Sequence, residues 1–236
     1  MSEMSSRKLR TIELLAPAKN YEQGRAAILC GADALYVGAP RFGARSAAGV
    51  PEEEIVRLCD LAHRFGAKVY VAMNTLLYEQ ELADAERIAC RMWNAGADAL
   101  IVQDMAFLRM ELPPVELHAS TQVCNTDPQR VRFLSEAGFT RVILERALSL
   151  EEIGRLSRAA DVEIETFVHG AICVSYSGRC YMSRTMGPRS GNRGDCSQSC
   201  RLPYDLLDER MRPLERNRHL LSLQDMNATG QIGELI

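Results

Sequence analysis

Four times along the chain, a stretch with apolar residues at helical spacing runs into a glycine and then into a short, almost wholly apolar run. These are AAILCGADALYVGA (Gly31), LAHRFGAKVYVAMN (Gly66), RMWNAGADALIVQD (Gly96) and LSEAGFTRVILER (Gly138). Glycine closes a helix by entering the left-handed region without a Cβ clash. A strand covered on both faces reads as a continuous apolar run. The pattern therefore predicts helices alternating with buried parallel strands, the strands falling near 12–17, 34–38, 68–73, 99–103, 115–119, 141–145 and 162–168. The helix starts agree. Pro51 with Glu52, Glu53 and Glu54 supplies a first-turn proline and acids, Asp127 caps a helix opening at Pro128, and Ser149 stands three residues before Glu152 as a capping box.

Seven strands alternating with helices, with no G-x-G-x-x-G after the first, favour a TIM-like (β/α) barrel over a Rossmann sheet. PYDLLDERMRPLERNRHLLSLQD reads as a β-hairpin with Glu209 to Pro213 near its turn, and TGQIGELI starts a helix that no glycine and strand follow. The expectation is a barrel truncated before its last strand; the alternative makes HLLSLQD the eighth strand. The organisation is then a disordered N-terminus (1–10), barrel strands one to seven (11–169), a cysteine-rich loop (170–201), and a hairpin with the start of the next barrel helix (202–236).

At 236 residues and 47% hydrophobic, the chain can bury a substantial core. A formal net charge of -3 gives no global basic excess, so a nucleic-acid partner has to be met by a local patch. MSEMSSRKLR lacks the apolar centre of a signal peptide and no membrane-length run follows it. A cytoplasmic location is expected, where thiols stay reduced and clustered cysteines serve as metal ligands or redox groups.

Four of the eight cysteines, Cys173, Cys180, Cys196 and Cys200, fall in one loop with the spacing C-x6-C-x15-C-x3-C. Four thiolates close the shell of a tetrahedral zinc or hold a four-iron four-sulfur cluster. The gaps match the paired knuckles of zinc ribbons poorly, which leans the reading to iron–sulfur, with structural zinc and unrelated free thiols as alternatives. Cys30, Cys59, Cys90 and Cys124 read as structural. The same loop carries Arg179, Arg184, Arg189, Arg193 and Arg201 against a single acid, Asp195. Arg179, Arg184, Arg189 and Arg193 are candidates for binding RNA phosphates, with Tyr176 and Tyr181 to stack a base; the bland alternative is that they balance an anionic cluster.

In a barrel, the strand C-termini form the functional face. That face would collect Ala16 to Ala18, Ala39 with PRFGAR, Asn74, Gln103 and Asp104, His118 to Gln122, Glu145 and Arg146, and His169. Asn74, His118 and Gln122 are candidates to contact a base or an oxygen donor, His169 to carry a proton beside the cluster, and Glu145 to complete the polar ring. Each alone is more often a satisfied buried polar group than a catalyst; it is their convergence at one mouth that makes them candidates.

The segments ELLAPA, GADALYVGAPRFGARSA, ELHASTQ, HGAICVSYSGRCYMS and NRGDCSQSCRLPY together resemble the collagenase-like (U32-type) peptidase family, and within it the branch of 23S ribosomal RNA cytidine hydroxylases, over nearly all of the chain after residue 10. The resemblance implies a TIM-like barrel with an iron–sulfur cluster and an enzyme forming 5-hydroxycytidine in large-subunit ribosomal RNA. Ribosomal RNA or its precursor is the implied partner, and a prephenate-related metabolite the implied co-substrate. Family members that hydroxylate a tRNA uridine or a quinone precursor make those substrates the alternatives. Cys200 becomes the fourth cluster ligand by default, since Asp225 to Ala228 offers no cysteine. Two rival functions remain: the peptidase of the family's name, for which no H-E-x-x-H or G-x-S-x-G is present, and a non-catalytic RNA-binding module with structural zinc.

Overall fold

The computed structural model describes residues 12–45 and 48–236. The expected disordered N-terminus, residues 1–10, lies outside the described residues. Strands and helices alternate as β1 (Leu15–Ala18), α1 (Tyr21–Leu29), β2 (Ala34–Gly38), α2 (Glu52–Arg64), β3 (Lys68–Met73), α3 (Leu82–Asn94), β4 (Ala99–Val102), β5 (Glu116–Ala119), α4 (Pro128–Glu136), β6 (Arg141–Ile143), α5 (Leu150–Ser157) and β7 (Glu163–Glu165). A 3-10 turn, Met105–Arg109, replaces a helix between β4 and β5. The seven strands lie in sequence order, each parallel to the next. The result is an α/β fold with an incomplete TIM-like barrel.

Local chemistry places these elements. Ser149 and Glu152 cap α5 reciprocally, and the Asp127 side chain accepts the Arg130 N–H at 2.9 Å at the start of α4. Gly31 and Gly96 both take φ +98° where α1 and α3 end. Both strand faces are then covered. Leu35, Val37, Val71, Leu100 and Val142 pack outward on helix residues such as Leu58, Ile88 and Leu134. Ala34, Tyr70, Ala72, Ala99, Ile101 and Ile143 fill the interior. Two-sided burial is why these strands show no polar alternation, and each buried leucine-sized side chain contributes about 1.5–3 kcal/mol.

The interior is polar at the N-terminal end of the strands. Arg141, the first residue of β6, donates to Glu13 at 2.6 Å and to Glu163 at 2.6 Å, and the Tyr70 hydroxyl donates to Glu13 at 2.8 Å. Buried ions persist only when paired and hydrogen-bonded in this way.

Strand seven is shorter than expected. It ends at Glu165, where its pairing with β6 stops, and Phe167 packs on the interior cluster beyond it. His169 opens a separate strand, β8 (His169–Ala171), which pairs antiparallel with β11 (Asp225–Asn227) outside the seven-stranded sheet. Between them lie the cysteine loop with a short helix, α6 (Met182–Met186), and the expected hairpin, β9 (Tyr204–Leu207) and β10 (Pro213–Arg218). His219 to Gln224 is not a strand, which removes the HLLSLQD alternative. The helix α7 (Ile232–Leu235) follows β11.

Candidate functional site

The cysteine loop is strapped across the C-terminal ends of the strands at four places. After β6, Glu145 accepts the Ser177 N–H through Oε2 and the Ser177 hydroxyl through Oε1, each at 2.9 Å. After β5, Gly178 lies so close to the Gln122 carbonyl that a Cβ there would overlap its oxygen, and its φ is +74°. After β2, Gly194 (φ +80°) presses on the Gly43 carbonyl in the same manner. After β3, the Leu76 N–H donates to Asn192 O at 3.1 Å, while Arg193 donates to Leu76 O and forks onto both oxygens of Glu81 at 2.9 and 2.7 Å. Arg201 fastens the far end, donating to Ile172 O at 2.8 Å and Leu223 O at 2.7 Å.

Within this strap, all four cysteines are free thiols, Cys173 and Cys196 exposed and Cys180 and Cys200 half-buried. Burial pushes the Cys200 thiol up against the opposing Arg201 charge, and Cys173, Cys196 and Cys180 reinforce the rise, so Cys200 lies in the field of the other three sulfurs. The Gln198 N–H donates to Cys196 Sγ at 3.4 Å. Among the described residues, no three His, Cys, Asp or Glu side chains gather closely enough to hold one metal ion. Four thiols, with the Ser183 hydroxyl also 3.9 Å from Cys196 Sγ, are a donor set of the kind that holds either a sulfur-bridged iron cluster or a tetrahedral zinc.

The proposed polar ring is only partly assembled. Asn74 is buried at the mouth but committed: Oδ1 accepts the Ala44 N–H at 2.8 Å, and Nδ2 donates to Ser120 Oγ at 3.0 Å and to the Tyr36 hydroxyl at 3.3 Å. Gln122 sits in a 3-10 turn under the loop, its carbonyl accepting from Gln103 Nε2 at 3.1 Å. Glu145 serves as the Ser177 clasp. His169 is exposed, its Nδ1 3.3 Å from Met226 O.

His118 does not join them. Its register partner on β6 is Arg141, and its ring packs edge-on to Tyr70 at 4.8 Å, within the polar N-terminal half of the interior. It is 1% exposed, and neither ring nitrogen has a hydrogen-bond partner. Burial foremost, with the Arg141 charge, pushes its pKa down to about 3, so the ring is neutral at physiological pH.

The arginines divide. Arg193 is held by Glu81 and lies over the Tyr78 ring, and its charge draws the Glu81 carboxyl below the usual carboxylate range. Arg189 pairs with Asp195 at 2.8 Å. Arg184 donates to Pro188 O at 3.2 Å, and Arg179 is exposed with no side-chain hydrogen bond to a described residue. Sequence reasoning missed Ser177 and Tyr36, each a single polar group without a distinguishing spacing; Ser120 fell within the stretch His118 to Gln122 expected at the mouth but was given no role. It also missed Glu165, the inward last residue of β7, whose carboxyl burial pushes up to about 7 despite Arg141.

The family described as Peptidase family U32 matches residues 19–236. The chain is 48% identical over 225 residues to the 23S rRNA 5-hydroxycytidine C2501 synthase of Escherichia coli (strain K12), covering 95% of this chain and 34% of that protein. It is 40% identical over 198 residues to tRNA hydroxylation protein P1 of Bacillus subtilis (strain 168), covering 82% and 47%, respectively. Against a collagenase of Porphyromonas gingivalis (strain ATCC BAA-308 / W83), identity is 30% over 241 residues, covering 95% and 58%. The chain thus spans from 34% to 58% of the length of these relatives. A solved structure, that of the U32 peptidase Mk0906, shares the fold at a TM-score of 0.57 and 16% identity, covering 73% of this chain and 76% of that one.

Proposed function

This chain belongs to peptidase family U32, and from that premise we propose that the protein is an RNA-modifying hydroxylase, iron–sulfur dependent, that forms 5-hydroxycytidine in large-subunit ribosomal RNA. The observation that carries the reading is the 48% identity over 95% of the chain to a synthase of that nucleoside. The match to a tRNA hydroxylation protein supports RNA as the substrate class and makes a tRNA uridine the second candidate.

Cys173, Cys180, Cys196 and Cys200 would hold the cluster. When bound, such a cluster supplies electrons or an open iron site acting as a Lewis acid. The rest falls to the chain's own residues. Replacing C5–H by C5–OH inserts one oxygen atom and oxidises the base by two electrons, so it needs an oxygen donor that takes up those electrons, and it requires the cytosine out of its stack. Tyr176 and Tyr181, 61% and 65% exposed, offer rings on which an unstacked base can lie. Arg179 and Arg184 have no carboxylate partner among the described residues and are the phosphate ligands, whereas Arg193 and Arg189 hold the loop in shape. Asn74, Tyr36 and Ser120 fix the floor beneath, and Gln122 borders it. His169 stands outside the seven-stranded sheet, exposed, with Nδ1 against Met226 O, as the candidate proton carrier beside the cluster.

The deciding experiment is mass spectrometry of ribosomal RNA from a strain lacking the gene. Loss of a 5-hydroxycytidine signal, restored by the gene, is expected; an unchanged signal refutes the reading.

A further inference from the structure

We propose that the hydroxyls of Ser199, Ser197 and Ser183 form a hydrogen-bond chain directed onto Cys196 Sγ, and that Ser183, at the end of that chain, is a positioning residue that tunes the metal centre of the four thiols through this sulfur. The inference rests on the cysteine loop being the metal-bearing part, as under the proposed function, and on no particular RNA. Ser183 is the second residue of α6, whereas Ser197 and Ser199 stand between Cys196 and Cys200. The fold brings them together. Ser197 Oγ lies 3.0 Å from Ser183 Oγ and 2.7 Å from Ser199 Oγ, and Ser183 Oγ lies 3.9 Å from Cys196 Sγ.

The direction of the chain follows from its protons. A hydroxyl has one proton to give and two lone pairs with which to accept. Ser183 Oγ accepts the Ser197 backbone N–H at 3.0 Å and the Ser197 hydroxyl at 3.0 Å, which fills both lone pairs. Its own proton is left for Cys196 Sγ. Ser197 has given its proton to Ser183, so in the 2.7 Å contact with Ser199 it is Ser199 that donates. Ser183 and Ser199 are only 3% and 6% exposed, so water does not compete for these protons. Hydroxyls linked in this way polarise one another, which strengthens the last bond of the chain.

Both ends are anchored. The Tyr204 hydroxyl, at the start of β9, donates to Ser199 O at 2.9 Å, and Arg189 Nη2 donates to Cys196 O at 3.0 Å. The Gln198 N–H adds a second donor to the same sulfur at 3.4 Å. The sulfurs of Cys173, Cys180 and Cys200 receive no hydrogen bond from a described residue, so Cys196 is the one that the loop singles out. A donor on a ligand sulfur stabilises the reduced, more negative form of a cluster over the oxidised form, and so raises its reduction potential. Reduction adds one electron to the centre, and the hydroxyl protons stay on their own oxygens.

The test is a redox titration, followed by electron paramagnetic resonance, of anaerobically purified wild type, Ser183→Ala, Ser183→Thr, Ser197→Ala and Ser199→Ala, with iron content and far-ultraviolet circular dichroism recorded for each. Ser183→Ala should lower the potential by about 59 mV, a tenfold change in the one-electron equilibrium. Ser197→Ala and Ser199→Ala should lower it by successively less, and Ser183→Thr, which keeps the hydroxyl, should stay closer to wild type. A purely structural role does not produce that order. Should Ser183→Ala lose its iron, Ser197→Ala, which leaves Ser183 in place, carries the test. Potentials equal to wild type in every iron-bearing variant overturn the proposal. Protein that binds zinc and no iron defeats the iron–sulfur reading alone. The thiolate-to-metal charge-transfer band of the cobalt-substituted protein then takes the place of the potential: a shift to lower energy in Ser183→Ala supports the hydroxyl contact, and an unchanged band overturns it.

Discussion

Glu145 grips Ser177 twice, its two oxygens accepting the N–H and the hydroxyl of one residue at 2.9 Å each, from a position that is only 5% exposed. A carboxylate buried after β6 is thereby satisfied by the loop that carries the four cysteines, so barrel and loop hold each other in place.

Glu145→Ala should therefore cost about 2–4 kcal/mol, the scale of losing hydrogen bonds to a buried charge. Limited proteolysis should open first between Cys173 and Cys200. Urea unfolding with proteolytic mapping checks both, and cleavage confined to the hairpin would show that the clasp is not what orders the loop.

Gly178→Ala and Gly194→Ala attack the same strap without touching charge. Each puts a Cβ onto a carbonyl oxygen at positive φ, a conformation costing an L-residue about 1–2 kcal/mol before the overlap is counted. We expect reduced iron content after anaerobic purification while the far-ultraviolet circular dichroism of the barrel is retained.

Acid should expose His118. Its folded pKa of about 3 lies below the ordinary 6.5, so between those values the unfolded chain binds a proton that the folded chain refuses, and stability falls as pH drops. The slope is at most about 1.4 kcal/mol per pH unit for one proton. Glu165 acts in the opposite sense. Its pKa of about 7 lies above the ordinary 4.5, so its contribution is present below 4.5 and lost as pH rises through 7. His118→Phe should flatten the acid loss and Glu165→Gln should steepen it. Denaturant titrations at several pH values measure both slopes.

For RNA, Arg179→Ala with Arg184→Ala should weaken binding and reduce the salt slope by about two, roughly one released counterion for each phosphate contact. Arg193→Ala should instead loosen the loop through the loss of Glu81, with the slope of any remaining binding unchanged. Anisotropy titrations at two salt concentrations separate the two classes. Equal slopes for the Arg179/Arg184 double variant and wild type would remove these arginines from the RNA surface.

Much of this was legible because local rules carried it. The glycine-then-apolar runs marked β2, β3, β4 and β6, and the capping box placed α5. What escaped was set by long-range packing. Alternation along β5 says that His118 points inward, but its height in the barrel follows from the β5–β6 register, which aligns it with Arg141. The apolar residues after Glu165 extend the apparent strand to residue 168, yet the pairing with β6 stops at Glu165 and Phe167 packs on the interior cluster beneath Arg146. The Ser177 clasp joins residues 32 apart in sequence and has no motif.

As proposed, the cysteine loop strapped over the barrel mouth would be the metal-bearing part of an RNA hydroxylase. The most direct test is 5-hydroxycytidine in ribosomal RNA, measured by mass spectrometry in a deletion strain carrying either the wild-type gene or Cys196→Ala, with the iron content of each purified protein recorded beside it. Iron and full modification are expected with wild type, and neither with Cys196→Ala at equal protein level. Full modification by an iron-free Cys196→Ala protein would contradict the proposal.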